Sequence, residues 1–235
     1  MRAPLLAVLA GLLAGCVADR TVTTPAEREK SVRPGVNAPY ENPNVAEWEA
    51  RFETESREIF RERERIVADL GLKPGMAVAD IGAGTGFFTL LFAQAVGPTG
   101  VVYAVDIVPE FVQHIEQRAR DAGLTNVRTV LGKVDSVELP ADSIDAAFIC
   151  DTYHHFEYPI STMTSVRQAL RPAGAVYLID FERVEGQSRQ WVLDHVRCGR
   201  EPVIDEMRGC GFELIGDAAE QTKLDENYFL RFCKR

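Results

Sequence analysis

Residues 78–86 read VADIGAGTG, and this stretch decides the fold class of the 235-residue chain. A short apolar run ends at Asp80, and three glycines follow within five positions, at 82, 84 and 86. Glycine lacks a Cβ, so the backbone can turn sharply there and allow another group to approach closely. In an open parallel sheet the loop after the first strand is a common ligand site. The stretch therefore predicts a strand followed by a ligand-binding turn.

The spacing of the glycines indicates the kind of ligand. The dinucleotide fingerprint G-x-G-x-x-G would require glycine at position 87, where this chain has Phe87, so a dinucleotide-dependent oxidoreductase is disfavoured. A carboxylate at Asp80, beside the loop, suits an ammonium or sulfonium group better than a phosphate. Asp106 ends the next apolar run, VVYAVD, and can accept hydrogen bonds from both hydroxyls of a ribose. The pattern favours an adenosine that carries no phosphate.

Short β-branched runs alternate with amphipathic segments along the rest of the chain, and this alternation predicts a parallel sheet covered by helices on both faces. Strands are predicted at 76–81, 101–106, 127–131, 144–151 and 175–181, and helices at 46–70, 86–96, 109–122, 160–170 and 203–210. Two further runs, 212–215 and 228–233, indicate a closing hairpin. The predicted fold class is α/β, a Rossmann-like doubly wound sheet of seven strands, mostly parallel with a C-terminal antiparallel hairpin.

Four motifs together resemble the class I S-adenosylmethionine-dependent methyltransferases. The family's first motif is matched by VADIGAGTG and its acidic second-strand end by Asp106. LPADSIDAAFICDTYHHF at 139–156 is similar to the fourth-strand region, and LRPAG at 170–174 to a downstream turn, with Ala173 in place of one glycine. The resemblance covers about residues 70–182. It implies S-adenosyl-L-methionine as cofactor and methyl transfer as the reaction.

The resemblance also implies a role for individual residues of the cofactor site. Asp80 would contact the amino group of the methionine moiety, Asp106 the ribose, and Ile107 one face of the adenine. Asp135 would reach the adenine amino group, with the backbone around Val134 as the alternative. The methionine moiety itself would be lined by Gly82, Ala83, Gly84 and Gly86. A purely structural interpretation stays open for the two acids, because each could cap the helix that follows it.

His154 and His155 are the candidate catalytic residues, because an imidazole can remove a proton from the methyl acceptor near neutral pH. Alternatively, one of them only hydrogen-bonds its loop. A metal site built from these histidines and Asp151 is disfavoured, since adjacent residues seldom converge on one ion, and no metal is predicted. The resemblance implies an acceptor pocket in the segment after the fifth strand, which contains Trp191, His195 and Arg197. Alternatively, these residues only pack a helix.

The N-terminal sequence MRAPLLAVLAGLLAGC is typical of an export signal. Leu13-Ala14-Gly15-Cys16 resembles the lipobox of bacterial lipoproteins, which implies cleavage before Cys16 and acylation of that cysteine. We expect a signal peptide at 1–16, a linker at 17–45 and the methyltransferase domain at 46–235. The expected location is the cell envelope, anchored in a membrane and facing the periplasm, or the cytoplasm if the signal is not used.

The net charge of the chain indicates which classes of binding partner to expect. The formal net charge is −9 and no block of lysine or arginine is present, so nucleic acid is not expected as a partner. A small-molecule or lipid-like acceptor is favoured. The alternative is a membrane-tethered binding protein that keeps the fold without turnover, because exported lipoproteins act where S-adenosylmethionine is not expected to be supplied.

Overall fold

A seven-stranded sheet with the order β3-β2-β1-β4-β5-β7-β6 forms the centre of the protein. The structure is a computed structural model and describes residues 29–235. The predicted signal peptide, Cys16 and the first part of the predicted linker lie outside the described residues. The strands are β1 (Ala77–Ile81), β2 (Val101–Asp106), β3 (Val127–Leu131), β4 (Ile144–Cys150), β5 (Leu170–Phe181), β6 (Phe212–Asp217) and β7 (Asn227–Lys234).

Strands β1 to β5 pair in parallel, while β7 pairs antiparallel with both β5 and β6. This confirms the predicted fold class, including the seven strands and the C-terminal hairpin. All five residues of β1 are buried, which explains its uninterrupted apolar sequence, because a central parallel strand is covered on both faces. The chain order reverses between β1 and β4, and the carboxyl ends of strands at such a point form a crevice.

Helices cover both faces of the sheet. After the N-terminal region they are α4 (Phe87–Val96), α5 (Pro109–Asp121), α6 (Pro159–Ala169), α7 (Gln190–His195), α8 (Arg200–Gly209) and α9 (Ala219–Thr222). One hydrophobic cluster forms around Phe92 and Phe148, and another around Met163, Met207 and Phe212. Burying both faces of the sheet fixes the positions of the strand ends, and therefore of the loops that form the site.

The prediction of a single helix over 46–70 was wrong. The structure has three short helices there, α1 (Val45–Phe52), α2 (Glu58–Arg61) and α3 (Arg63–Asp69). Between α1 and α2 the chain contacts the rest of the domain, because Glu53 accepts a hydrogen bond from the Thr85 hydroxyl (2.8 Å) and pairs with Arg118. The apolar residues keep helical spacing across the breaks between these helices, so the sequence pattern did not reveal the breaks.

Residues 31–44 lie against the domain. The Val32 amide donates to the carbonyl of Glu157 (2.8 Å), the Arg33 guanidinium binds the backbone of α7 and Val36 is buried. A short 3₁₀ segment, Ala38–Tyr40, brings Tyr40 over the carboxyl ends of the strands. Across residues 29–235, none of the helices has both the length and the apolar character that crossing a bilayer requires.

Candidate functional site

A cavity opens at the carboxyl ends of β1, β2 and β4, where the chain order reverses, and is here called the first cavity. Among the residues that line it are Asp80, Gly82, Ala83, Gly84, Asp106, Ile107, Val134, Asp151 and His155. The structure therefore brings together most of the residues that the sequence predicted for the cofactor. Gly86 and Asp135 do not line this cavity.

The three glycines all have left-handed backbone conformations, with φ of +69°, +55° and +80° at Gly82, Gly84 and Gly86. A Cβ on Gly82 would lie 2.2 Å from Cγ2 of Thr152, and one on Gly86 would lie 2.7 Å from Cγ1 of Ile115. Two of the three glycines thus make room for the protein's own side chains rather than for a ligand. The turn shapes the cavity indirectly, because it brings β1, α4 and the loop after β4 close together.

Asp106 lies at the end of β2, 7% exposed, and is held by backbone donors. The amide of Gly84 donates to Oδ2 (2.8 Å) and the amide of Val108 donates to Oδ1 (2.9 Å). Burial raises the pKa of Asp106 to about 6, against the lowering effect of these hydrogen bonds. Each carboxylate oxygen keeps a further lone pair, so the group can still accept the two hydroxyls of a ribose.

Asp80 is more deeply buried, at 4% exposure, and contacts the helix that follows it. The Thr89 hydroxyl donates to Oδ2 (2.6 Å), and the Thr89 amide also bonds the carboxylate. Asp80 therefore contacts the first turn of α4, as the capping alternative predicted, and lines the first cavity as well. Burial raises its pKa to about 7.

Neither Asp80 nor Asp106 has a lysine or arginine partner among the described residues. Two desolvated carboxylates in one cavity are costly unless positive charge or hydrogen-bond donors approach them. The sulfonium and ammonium groups of S-adenosylmethionine supply that charge, and its ribose supplies the donors. The residues present therefore fit this group.

The part of the first cavity that is predicted to hold the adenine has apolar walls. Ile107 is 36% exposed and Val134 is 47% exposed, and both line the first cavity. Asp135 is exposed outside it, and the neighbouring Lys133 pairs with Glu138 (2.8 Å). Asp135 and the backbone around Val134 were the two predicted contacts of the adenine amino group. The structure brings the segment around Val134 to the cavity but leaves the Asp135 carboxylate outside it.

A second cavity lies beside the first and shares part of its wall. The residues that line both cavities are Tyr40, Phe52, Arg57, Asp151 and His155. The second cavity alone is lined by Trp48, Ile59, His154, Phe181, Trp191 and His195, among others. Sequence reasoning missed Tyr40, Phe52 and Arg57. The one available signal was the run of aromatics at 40, 48 and 52, whose rings lie 4.7–5.2 Å apart in sequence order.

Asp151 is the polar centre of the shared wall. Its backbone has φ of +48°, in the left-handed region, which aspartate adopts more readily than most residues other than glycine. Its carboxylate pairs with Arg57 and accepts a hydrogen bond from Asn227 (2.6 Å). Burial raises the pKa of Asp151, and the Arg57 guanidinium opposes the rise.

The two candidate catalytic histidines occupy different positions. His154 is 3% exposed and its Nδ1 lies 2.7 Å from a carboxylate oxygen of Asp180. The Nε2 of His155 lies 3.4 Å from the Tyr40 hydroxyl and 3.3 Å from Nε2 of His195. Burial lowers the pKa of His155 to about 3, which makes it a weak base near neutral pH.

The predicted acceptor-pocket residues are partly brought together. Trp191 stacks on His195, with ring centroids 4.7 Å apart, and both line the second cavity. Arg197 does not line it and instead forms two hydrogen bonds to Glu206 (2.8 and 2.6 Å). The histidine cluster is also different from the one considered in the sequence, because His195 rather than Asp151 joins His154 and His155.

Known proteins with similar sequences and folds include methyltransferases. The chain is 28% identical over 118 residues to "Ubiquinone/menaquinone biosynthesis C-methyltransferase UbiE" of Burkholderia cenocepacia, a match to 50% of this chain and 48% of that one. The chain thus spans about half the length of the curated relatives it matches.

Two solved structures have the same fold. An S-adenosylmethionine-dependent methyltransferase from Aquifex aeolicus superposes with a TM-score of 0.69 at 20% identity, over 81% of this chain and 98% of that one. The [4+2]-cyclase SpnF superposes with a TM-score of 0.62 at 18% identity, over 74% and 80%. At these identities the likeness concerns the fold alone, and the cyclase indicates that the fold hosts more than one reaction.

The family comparison goes further than the fold. A family model described as "Methyltransferase domain" matches residues 72–225, a range that contains the glycine turn, Asp106 and the histidine loop. Because this match covers well over half of the sequence, the chain belongs to this methyltransferase family.

Proposed function

We propose that the protein is an S-adenosylmethionine-dependent methyltransferase whose acceptor is a small-molecule or lipid-like compound. The observation that carries the proposal is the pair of buried carboxylates, Asp80 and Asp106, which face one cavity without a basic partner among the described residues. Such a cavity favours a cationic nucleoside over a phosphate-bearing one, because phosphate beside two carboxylates would be repelled.

The cofactor, when bound, supplies an electrophilic methyl group on a sulfonium. The chain's own residues then have three tasks. Asp106 holds the ribose, Asp80 stabilises the positive charge of the methionine moiety, and the aromatic cover formed by Tyr40 and Phe52 excludes water from the reacting centre. Alignment and exclusion of water supply most of the catalysis in a displacement with a good leaving group.

The second cavity is proposed as the acceptor site, since it shares a wall with the first. Its lining is rich in aromatic side chains, with Trp48 and Trp191 among them, and also contains charged residues. Of the three arginines on its wall, Arg57 pairs with Asp151 and Arg189 pairs with Glu226, while Arg51 lies over the Trp48 ring. Most of the positive charge at this cavity is therefore already paired. An apolar or aromatic acceptor is in keeping with this lining, and with the name of the curated relatives in ubiquinone and menaquinone biosynthesis.

The histidines are proposed to contact the acceptor rather than to act as a free base. His155 lines both cavities, but its lowered pKa leaves it a poor proton acceptor near neutrality. His154 lines the second cavity and already shares a hydrogen bond with Asp180 through Nδ1. The variants His154→Ala and His155→Ala should therefore weaken acceptor binding more than they alter the pH dependence of turnover.

Calorimetry with S-adenosylmethionine and its demethylated product tests the cofactor site. We expect binding by the wild type and a loss of affinity of about tenfold or more in Asp106→Ala, from the lost charged hydrogen bonds. The matched control is Asp205→Ala, an acid whose side chain is 74% exposed on α8. Absence of binding by the wild type would overturn the proposal.

Transfer of a labelled methyl group from S-adenosylmethionine to cell-extract components and to a panel of phenols and quinols tests turnover. Labelled product that forms with the wild type and is lost in Asp106→Ala would support the proposal that the protein is a methyltransferase. Tight cofactor binding with no labelled product in any fraction would favour the alternative, a binding protein that keeps the fold without turnover.

A further inference from the structure

Three of the four histidines in the chain converge at one point on the second cavity. His154 and His155 follow β4, while His195 ends α7, 40 residues later. One ring nitrogen from each lies within 4.8 Å of the other two. The cluster is a product of the tertiary structure, because it joins the loop after β4 to the segment after β5.

The spacing of the nitrogens suits a tetrahedral metal ion. Nε2 of His155 and Nε2 of His195 are 3.3 Å apart. Two imidazoles bound to one Zn²⁺ at about 2.0–2.1 Å in tetrahedral geometry have nitrogens about 3.3–3.4 Å apart. A ring nitrogen of His154 lies within 4.8 Å of a ring nitrogen of each of the other two histidines and supplies the third ligand.

The orientation of His154 is fixed by a neighbouring carboxylate. Its Nδ1 lies 2.7 Å from Oδ1 of Asp180, which leaves Nε2 as the free ligand atom. Asp180 is itself held, because it accepts hydrogen bonds from the amides of His154 (3.0 Å) and Phe181 (2.8 Å). A carboxylate behind a histidine is the arrangement that orients metal ligands and makes them better donors.

We propose that His154, His155 and His195 bind one divalent transition-metal ion of the Zn²⁺ class, with Asp180 as the positioning residue. Three protein ligands leave a fourth position for water or an oxygen-bearing compound, and this position faces the second cavity. The metal site itself does not depend on methyl transfer. The further expectation that an acceptor oxygen occupies the fourth position rests on the proposed function.

A titration of the full-length, tag-free, chelator-treated protein with Co²⁺ in the absence of S-adenosylmethionine tests the site. We expect one Co²⁺ per chain, with the intense visible absorption of a tetrahedral site and no thiolate charge-transfer band. His155→Ala and His195→Ala should weaken binding about a hundredfold or more, and Asp180→Asn about tenfold to a hundredfold. His195→Gln, which retains most of the side-chain volume, is measured in parallel in case the alanine variant unfolds.

The matched control is His114→Ala, because His114 is the remaining histidine, lies outside the cluster and has its Nε2 3.6 Å from Oε2 of Glu49. Its binding should equal that of the wild type. No Co²⁺ binding by the wild type, a thiolate band, or unchanged affinity in both His195 variants would each overturn the proposal. Because the titration contains no cofactor, its failure is separate from failure of methyl transfer.

Discussion

Replacing Gly82 with alanine is expected to destabilise the protein through a steric contact that the sequence does not reveal. The new Cβ would lie 2.2 Å from Cγ2 and 2.7 Å from Oγ1 of Thr152. It would also be attached to a backbone with φ of +69°, which L-residues other than glycine rarely adopt. The substitution therefore combines backbone strain with overpacking.

The two effects can be separated by a matched glycine. Gly123 has a similar φ of +67°, but a Cβ there would meet nothing within 4 Å. Gly123→Ala should lower the free energy of unfolding by about 1–2 kcal/mol, from backbone strain alone. Gly82→Ala should lower it by about 2–5 kcal/mol, because overpacking adds about 1–3 kcal/mol.

Urea unfolding of both variants measures these free energies, and calorimetry measures the affinity of Gly82→Ala for S-adenosylmethionine. We expect a weaker affinity too, since Gly82 lines the first cavity. The double variant Gly82→Ala/Thr152→Ala should recover part of the stability, because it removes the two closest atoms and leaves Cβ of Thr152 at 2.9 Å. Equal destabilisation of the Gly82 and Gly123 variants would refute the steric argument.

Three further perturbations test other parts of the structure. Burial raises the pKa of Asp80 from 3.8 to about 7. The folded, ligand-free protein therefore retains a proton that the unfolded chain releases near pH 4. The stabilisation of the folded state by this proton is lost as the pH rises through 7. The free energy of unfolding of Asp80→Asn, measured in urea relative to that of the wild type, should therefore increase with pH, by at most on the order of 4 kcal/mol. Arg57→Ala leaves Asp151 buried without its cation and should cost about 1–3 kcal/mol by thermal or urea unfolding, whereas Arg120→Ala, which breaks a surface pair with Glu116, should cost less than about 1 kcal/mol. Mass spectrometry of membrane-fraction protein should detect a mature chain that begins at an acylated Cys16.

Each of these expectations has a result that contradicts it. A pH-independent difference between wild type and Asp80→Asn would mean that the buried acid does not titrate in this range. Equal costs for the two arginine variants would mean that the pair with Asp151 behaves as a surface ion pair. A mature chain that retains Met1, or an unacylated Cys16, would contradict the lipoprotein signal predicted from the sequence.

Local patterns in the sequence determined the sheet and the crevice at its carboxyl edge. The runs that became β1 and β2 are almost wholly apolar because both faces of these strands are covered, and each ends in an acid at the carboxyl edge. Asp80 and Asp106 could therefore be assigned to one crevice without coordinates, since parallel strands present their carboxyl ends on the same edge of a sheet. The turn at Gly82 could be predicted too, although not that Thr152 is the group that requires it.

Contacts between distant segments were decided only by the tertiary structure. The sequence from 46 to 70 has one continuous helical period, yet Glu53 and Arg57 bond groups far along the chain and the helix breaks between them. His195 joins His154 and His155 only because α7 folds back over the loop after β4. Hydrophobic periodicity records which face of a segment is buried, whereas the partner that buries it depends on the packing of the whole chain.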